Sequence, residues 1–181
     1  MRRSLVLGST LRIAPLLGCA VGIAAALALP REARAGVFLG AEYDAGQGVD
    51  MPAGTRTGYG FVGALGYRIG LGPVFLQPEA QGSYMIFPSD AGEHTTVARA
   101  LGGARFGLSG IFQPAIYAHL GVGWLDPQTN GRAVDAGLSL AFKLIPVLSF
   151  GGQAGYNTLT VASTGVTTKW VSYGGHIAVE F

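Results

Sequence analysis

The stretch WVSYGGHIAVEF, residues 170–181, reads as two interleaved sequences. Val171, Tyr173, Gly175, Ile177, Val179 and Phe181 form one set. Trp170, Ser172, Gly174, His176, Ala178 and Glu180 form the other. The first set is oily, and the second is largely small, polar or charged. A period of two places the sets on opposite faces of a β-strand. The oily face runs to a phenylalanine with no polar residue after it, which is a liability on a water-facing edge and an asset against lipid.

Seven further runs alternate in the same way. Residues 36–44 set Val37, Leu39, Ala41 and Tyr43 against Gly40, Glu42 and Asp44. Residues 57–69 set Tyr59, Phe61, Leu65, Tyr67 and Ile69 against Gly58, Gly60, Ala64 and Arg68. In 73–87, Val74, Leu76, Ala80, Tyr84 and Ile86 oppose Gln77, Glu79, Gln81 and Ser83. In 97–108 the better register sends Ala98, Ala100, Ala104, Phe106 and Leu108 outward, with Arg99 and Arg105 inward. Residues 115–124 oppose Ile116, Ala118, Leu120, Val122 and Trp124 to Tyr117 and His119. Residues 134–144 oppose Val134, Ala136, Leu138, Leu140, Phe142 and Leu144 to Asp135, Ser139 and Lys143. Residues 147–156 oppose Leu148, Phe150, Ala154 and Tyr156 to Ser149 and Gln153. Most of these runs reach the ~9–11 residues that a tilted strand needs to cross a bilayer.

The connections alternate in length. AGQGVDMPAGTR, PSDAGEHTT, LDPQTNGRA and NTLTVASTGVTTK are long and polar, whereas GLG, SGIFQ and Ile145-Pro146 are short. This rhythm predicts an all-β, eight-stranded, antiparallel up-and-down transmembrane barrel with one rim of turns and one of loops. A soluble β-sandwich also alternates, but its water-facing side should be rich in Lys, Glu, Thr and Asp. Here the polar face is mostly Gly, Ala, Ser and Gln, which suits a narrow, crowded interior. The oily face carries Tyr43, Tyr59, Tyr67, Tyr84, Trp124, Tyr156, Tyr173 and Phe181 near the strand ends, as two interfacial girdles. Composition agrees: charged residues are 12% of the chain and hydrophobic ones 49%, with 30 glycines, and the mean hydropathy is +0.40. Soluble domains average roughly 25% charged residues.

Residues 1–35 read as a cleaved signal peptide. Arg2, Arg3 and Arg12 precede the apolar run 13–30, and Ala33-Arg34-Ala35 forms an A-x-A cleavage box. An uncleaved anchor is the competing reading, and the box favours cleavage. LLGC, ending on Cys19, resembles a lipoprotein acylation box, although the residues after it stay apolar to Leu29. Five of the twelve Lys and Arg lie in this segment with one acid, Glu32. Residues 36–181 therefore carry seven bases and nine acids, a formal charge of −2, and the basic isoelectric point is no argument for nucleic acid. Cys19 is the only cysteine, so residues 36–181 have no thiol chemistry.

Together these features resemble the small outer-membrane β-barrels of Gram-negative bacteria, the OmpA/OmpX-like class. The resemblance covers residues 36–181. It implies insertion in the outer membrane after export, contact with outer-membrane lipid and lipopolysaccharide, and long loops facing outward. It also implies that Tyr173, Ile177, Val179 and Phe181 act as the signal read by the barrel assembly machinery.

The interior faces collect Arg68, Arg99, Arg105 and Lys143 with Glu42, Glu79, Asp135 and Glu180, while Asp44 is expected nearer the rim. Four charges of each sign predict a paired network that plugs the barrel, because an unpaired buried ion costs several kcal/mol. A narrow ion pore is the alternative. His119 and His176 are expected to be hydrogen-bonded interior imidazoles, and His94 a solvated loop residue. Their spacing fits no metal motif, so no metal or cofactor is expected. Some eight-stranded barrels modify lipid A. A deacylase of that kind would resemble a His-x-Ser pair, which AHLGV and GHIAV lack. An acyltransferase would have only His94 with Ser89 or Asp90. No catalytic residue is therefore expected, and the role read from the sequence is non-enzymatic, in envelope integrity or surface interaction.

Overall fold

The computed structural model describes residues 35–51, 54–126 and 129–181. All but the last residue of the expected signal peptide, and with them Cys19, lie outside the described residues. Eight strands follow one another: β1 (Ala35–Asp50), β2 (Gly58–Leu71), β3 (Val74–Pro88), β4 (His94–Leu108), β5 (Phe112–Leu125), β6 (Thr129–Ile145), β7 (Leu148–Val161) and β8 (Thr167–Glu180). Each pairs antiparallel with the next, and β8 pairs back onto β1, closing the barrel. Closure leaves no unpaired sheet edge.

Three connections at one end are short. Gly72 makes the first of them possible, since it sits at φ 74°, where a Cβ is strained. The connections at the other end shrink relative to the sequence expectation, because the strands run on into them. β7 reaches Val161 and β8 begins at Thr167, so most of the stretch 157–169 is ladder. Its threonines and valines favour extended backbone, and Thr160 and Thr167 share a hydroxyl–hydroxyl hydrogen bond of 2.9 Å across the hairpin. β1 likewise runs to Asp50, with a bulge between Gly48 and Asp50. At the start of β4, Asp126 accepts from the Thr96 backbone N–H at 3.0 Å.

The alternation sorts the side chains. Leu39, Phe61, Leu65, Leu120, Leu138 and Ile177 stand exposed on the outer wall, and so do all eight aromatic residues expected in the girdles, although Tyr43, Tyr156 and Tyr173 lie in the middle of their strands and not near the ends. The inner wall is not uniformly polar. Toward the long-connection end, Met85, Phe87, Val97, Leu101, Ala133, Leu159 and Trp170 pack into a buried apolar cluster, with the Phe87 and Trp170 rings edge to face at 5.9 Å. Toward the short-turn end, Phe38 and Phe75 are also buried inside.

Candidate functional site

The interior is organised in rows set by strand register. Glu79 on β3 lies opposite Gly103 on β4, which lies opposite His119 on β5. His119 in turn lies opposite Asp135 on β6, and Asp135 opposite Asn157 on β7. Gly103 leaves open the space between its neighbours, so Glu79 Oε1 reaches across β4 to His119 Nε2 at 2.9 Å. His119 Nδ1 meets Asp135 Oδ1 at 2.7 Å. The ring thus lies between two carboxylates, one at each nitrogen.

The arginines stitch this row to its neighbours. Arg105 lies 3.1 Å from Glu79 and 3.7 Å from Glu42, and it donates to Ser139 Oγ at 2.9 Å. Its guanidinium also lies over Tyr117, 5.2 Å from the ring centroid. Tyr117 stacks on His119, with its hydroxyl over Gly137 and Gly155, where any Cβ would collide with it. Arg99 donates to Asn157 Oδ1 at 2.6 Å and to Ser83 Oγ at 2.9 Å. It pairs with Asp135 at 3.6 Å and lies over Trp170 at 5.0 Å. This contact joins the ionic rows to the apolar cluster.

At the short-turn end, Glu180 Oε2 accepts from Lys143 at 2.8 Å and from Arg68 at 3.1 Å. Arg68 also bonds Gln77 and Gln113 and lies 4.0 Å over the Phe75 ring. It forms the floor of an open vestibule of about 660 Å³. A cavity of only about 10 Å³ lies between Arg68 and Arg105, roughly the space of one water.

All eight charged residues expected inside the barrel point inward, and each joins at least one ion pair. Two expectations need correction. Asp44 is not at the rim: it is 2% exposed, one inward step from Glu42, and shares Gln153 with it. The interior thus holds five carboxylates against four Arg and Lys, with His119 hydrogen-bonded between two of the carboxylates. His176 is buried, but its Nδ1 has no hydrogen-bond partner among the described residues. Alternation alone could reveal neither, because depth and partners depend on register between strands. The inward apolar residues at both ends had a visible signal. YMIF at 84–87 and VFL at 37–39 and 74–76 are unbroken apolar runs, and such runs mark strands apolar on both faces.

No protein-family model matches the chain, and no curated protein does. Solved structures match its fold. Neisserial surface protein A (NspA) superposes with a TM-score of 0.58 at 10% identity, over 82% of this chain and 99% of that one. Ail, the attachment invasion locus protein of Yersinia pestis, gives a TM-score of 0.48 at 13% identity, over 83% and 100%. The N-terminal barrel domain of OprF from Pseudomonas aeruginosa gives 0.44 at 18%, over 83% and 100%. At these identities the likeness is one of fold: the chain has the architecture of the small eight-stranded outer-membrane barrel, as NspA does.

Proposed function

We propose that the chain is an integral outer-membrane barrel with a filled lumen, non-enzymatic, acting in envelope integrity or in surface interaction through its long connections. The observation that carries this is the inversion of the molecule. Its largest exposed apolar residues face outward all round the wall, while buried ions and amides fill the centre. Water would penalise that outer wall, and lipid would not. The short-turn rim is read as periplasmic and the long-connection rim as extracellular. Tyr173, Ile177 and Val179 face outward on β8, the strand that closes on β1, which suits recognition by the barrel assembly machinery. Outer-leaflet lipopolysaccharide is then the neighbour of the upper wall.

The lumen contents argue against a pore, since an ionic layer and an apolar layer lie in series along it. The purified protein, refolded into vesicles, is expected to resist alkaline extraction and to migrate differently on gels before and after heating. In planar bilayers it is expected to show no stable unitary conductance. Recovery as a freely soluble monomer would remove the membrane reading, and a stable open level would remove the plug.

A further inference from the structure

Residues 36–181 contain seven cations, and six of them are held in ion pairs: four inside the barrel, Arg56 with Asp90, and Lys169 with Asp50. Arg132 joins no ion pair among the described residues. It is exposed on the outer wall of β6. Ten steps along β6 take it to Phe142, which packs against Phe112 and Phe150 on the outer wall near the short-turn end. At ~3.3 Å per residue and a tilt of ~40°, that places Arg132 about 25 Å above Phe142. This is the full height of the apolar band of such barrels. Arg132 therefore stands at the upper interface, at headgroup depth.

Its neighbours there are polar, and their placement is fixed by register. Thr160 of β7 lies opposite Arg132, and Thr158 lies one outward step below, opposite Lys169 of β8. Two cations thus flank two threonines across three strands, of which Thr158 donates its hydroxyl to the Val134 carbonyl at 3.5 Å and Thr160 shares a hydroxyl hydrogen bond with Thr167. Trp124, in the adjoining row on β5, borders the patch. At matching height on β2 and β3 the outer wall carries Tyr59 and Ile86 instead. The asymmetry is a charge without an ion-pair partner among the described residues, set where the lipid carries phosphate.

We infer that Arg132 and Lys169, with Thr160 between them, form a docking patch for the phosphate of an outer-leaflet lipid headgroup. The guanidinium offers paired donors to phosphate oxygens, and Lys169 keeps donors beyond the one given to Asp50. The acyl chains of the same lipid lie down the apolar wall over Val134, Ala136 and Tyr156. This inference rests on the membrane reading above.

The test uses the folded protein in zwitterionic detergent, with phosphatidic acid, phosphatidylcholine of the same chains and inorganic phosphate as probes. Binding is followed by native mass spectrometry and by amide shifts at Thr158 and Thr160. Phosphatidic acid is expected to bind tightest, with Arg132→Gln weakening it about ten-fold, the scale of one lost charge-assisted contact. Arg56→Gln, away from the patch, is expected to leave it unchanged. Equal retention of phosphatidylcholine, or unchanged affinity in Arg132→Gln, would overturn the lipid site. Inorganic phosphate binding as tightly as phosphatidic acid would also overturn it, making the patch a soluble-anion site. Alkaline extraction from vesicles reads the membrane placement separately, so failure of one is not failure of the other.

Discussion

At the scale of single residues, the interior depends on where side chains are missing. Gly102 and Gly103 are neighbours on β4 with opposite environments. A Cβ at Gly102 meets nothing within 4 Å, whereas one at Gly103 would lie 2.1 Å from the Ala118 carbonyl oxygen and 2.5 Å from the His119 ring. Gly103 is the gap through which Glu79 reaches His119. Gly103→Val is therefore expected to cost about 3 kcal/mol or more, through backbone displacement and the parting of a buried ion pair. Gly102→Ala is expected to change stability by less than about 1 kcal/mol. Reversible urea unfolding in vesicles separates the two. Equal costs would mean that the β4 register is displaced.

At the scale of the element, a strand's alternation says which face a residue takes, and this much was legible for all eight strands. Val134, Leu138 and Phe142 on β6 could be placed outward from spacing alone, with Asp135, Ser139 and Lys143 inward. The pairing of Glu79 with His119 was not legible, because it joins residues forty positions apart through a register that hydrogen bonds between three strands set. The depth of Asp44 escaped for the same reason. Strand ends were read short, since polar threonine-rich and glycine-rich stretches look like loops until a neighbouring strand pairs with them. Position along β6 also sets the cost of charge. Leu138 is 64% exposed near the middle of the outer wall, and Val134 lies four residues nearer the upper interface. Leu138→Arg is expected to destabilise the barrel by about 2–4 kcal/mol, and Val134→Arg by markedly less. A reversed order in vesicle unfolding would place the apolar band elsewhere on the wall.

At the scale of the molecule, the barrel is held by two unlike fillings in series. The apolar cluster behaves as a small core, with Phe87 and Trp170 fully buried, and contributes through burial. The ionic rows contribute differently, because removing ions from water offsets much of their attraction. Their main effect is mutual dependence: Glu79 alone serves Arg105, His119, Gln77 and Gln81. Glu79→Ala leaves Arg105 with Glu42 at 3.7 Å as its remaining ion pair, and is expected to cost about 3–5 kcal/mol. The double replacement Glu79→Leu with Arg105→Met removes the charge together with its partner and is expected to cost less than the sum of the single changes. Salt distinguishes this network from surface pairs such as Arg56–Asp90, where both side chains are more than 60% exposed. Buried pairs are screened little, so raising sodium chloride from about 0.05 to about 1 M, where the Debye length falls to ~3 Å, should not reproduce the loss seen in Glu79→Ala. Unfolding in vesicles at both ionic strengths measures this. A wild-type barrel that weakened at high salt as much as Glu79→Ala does at low salt would mean that water and ions reach the rows, and the filled lumen would have to be abandoned.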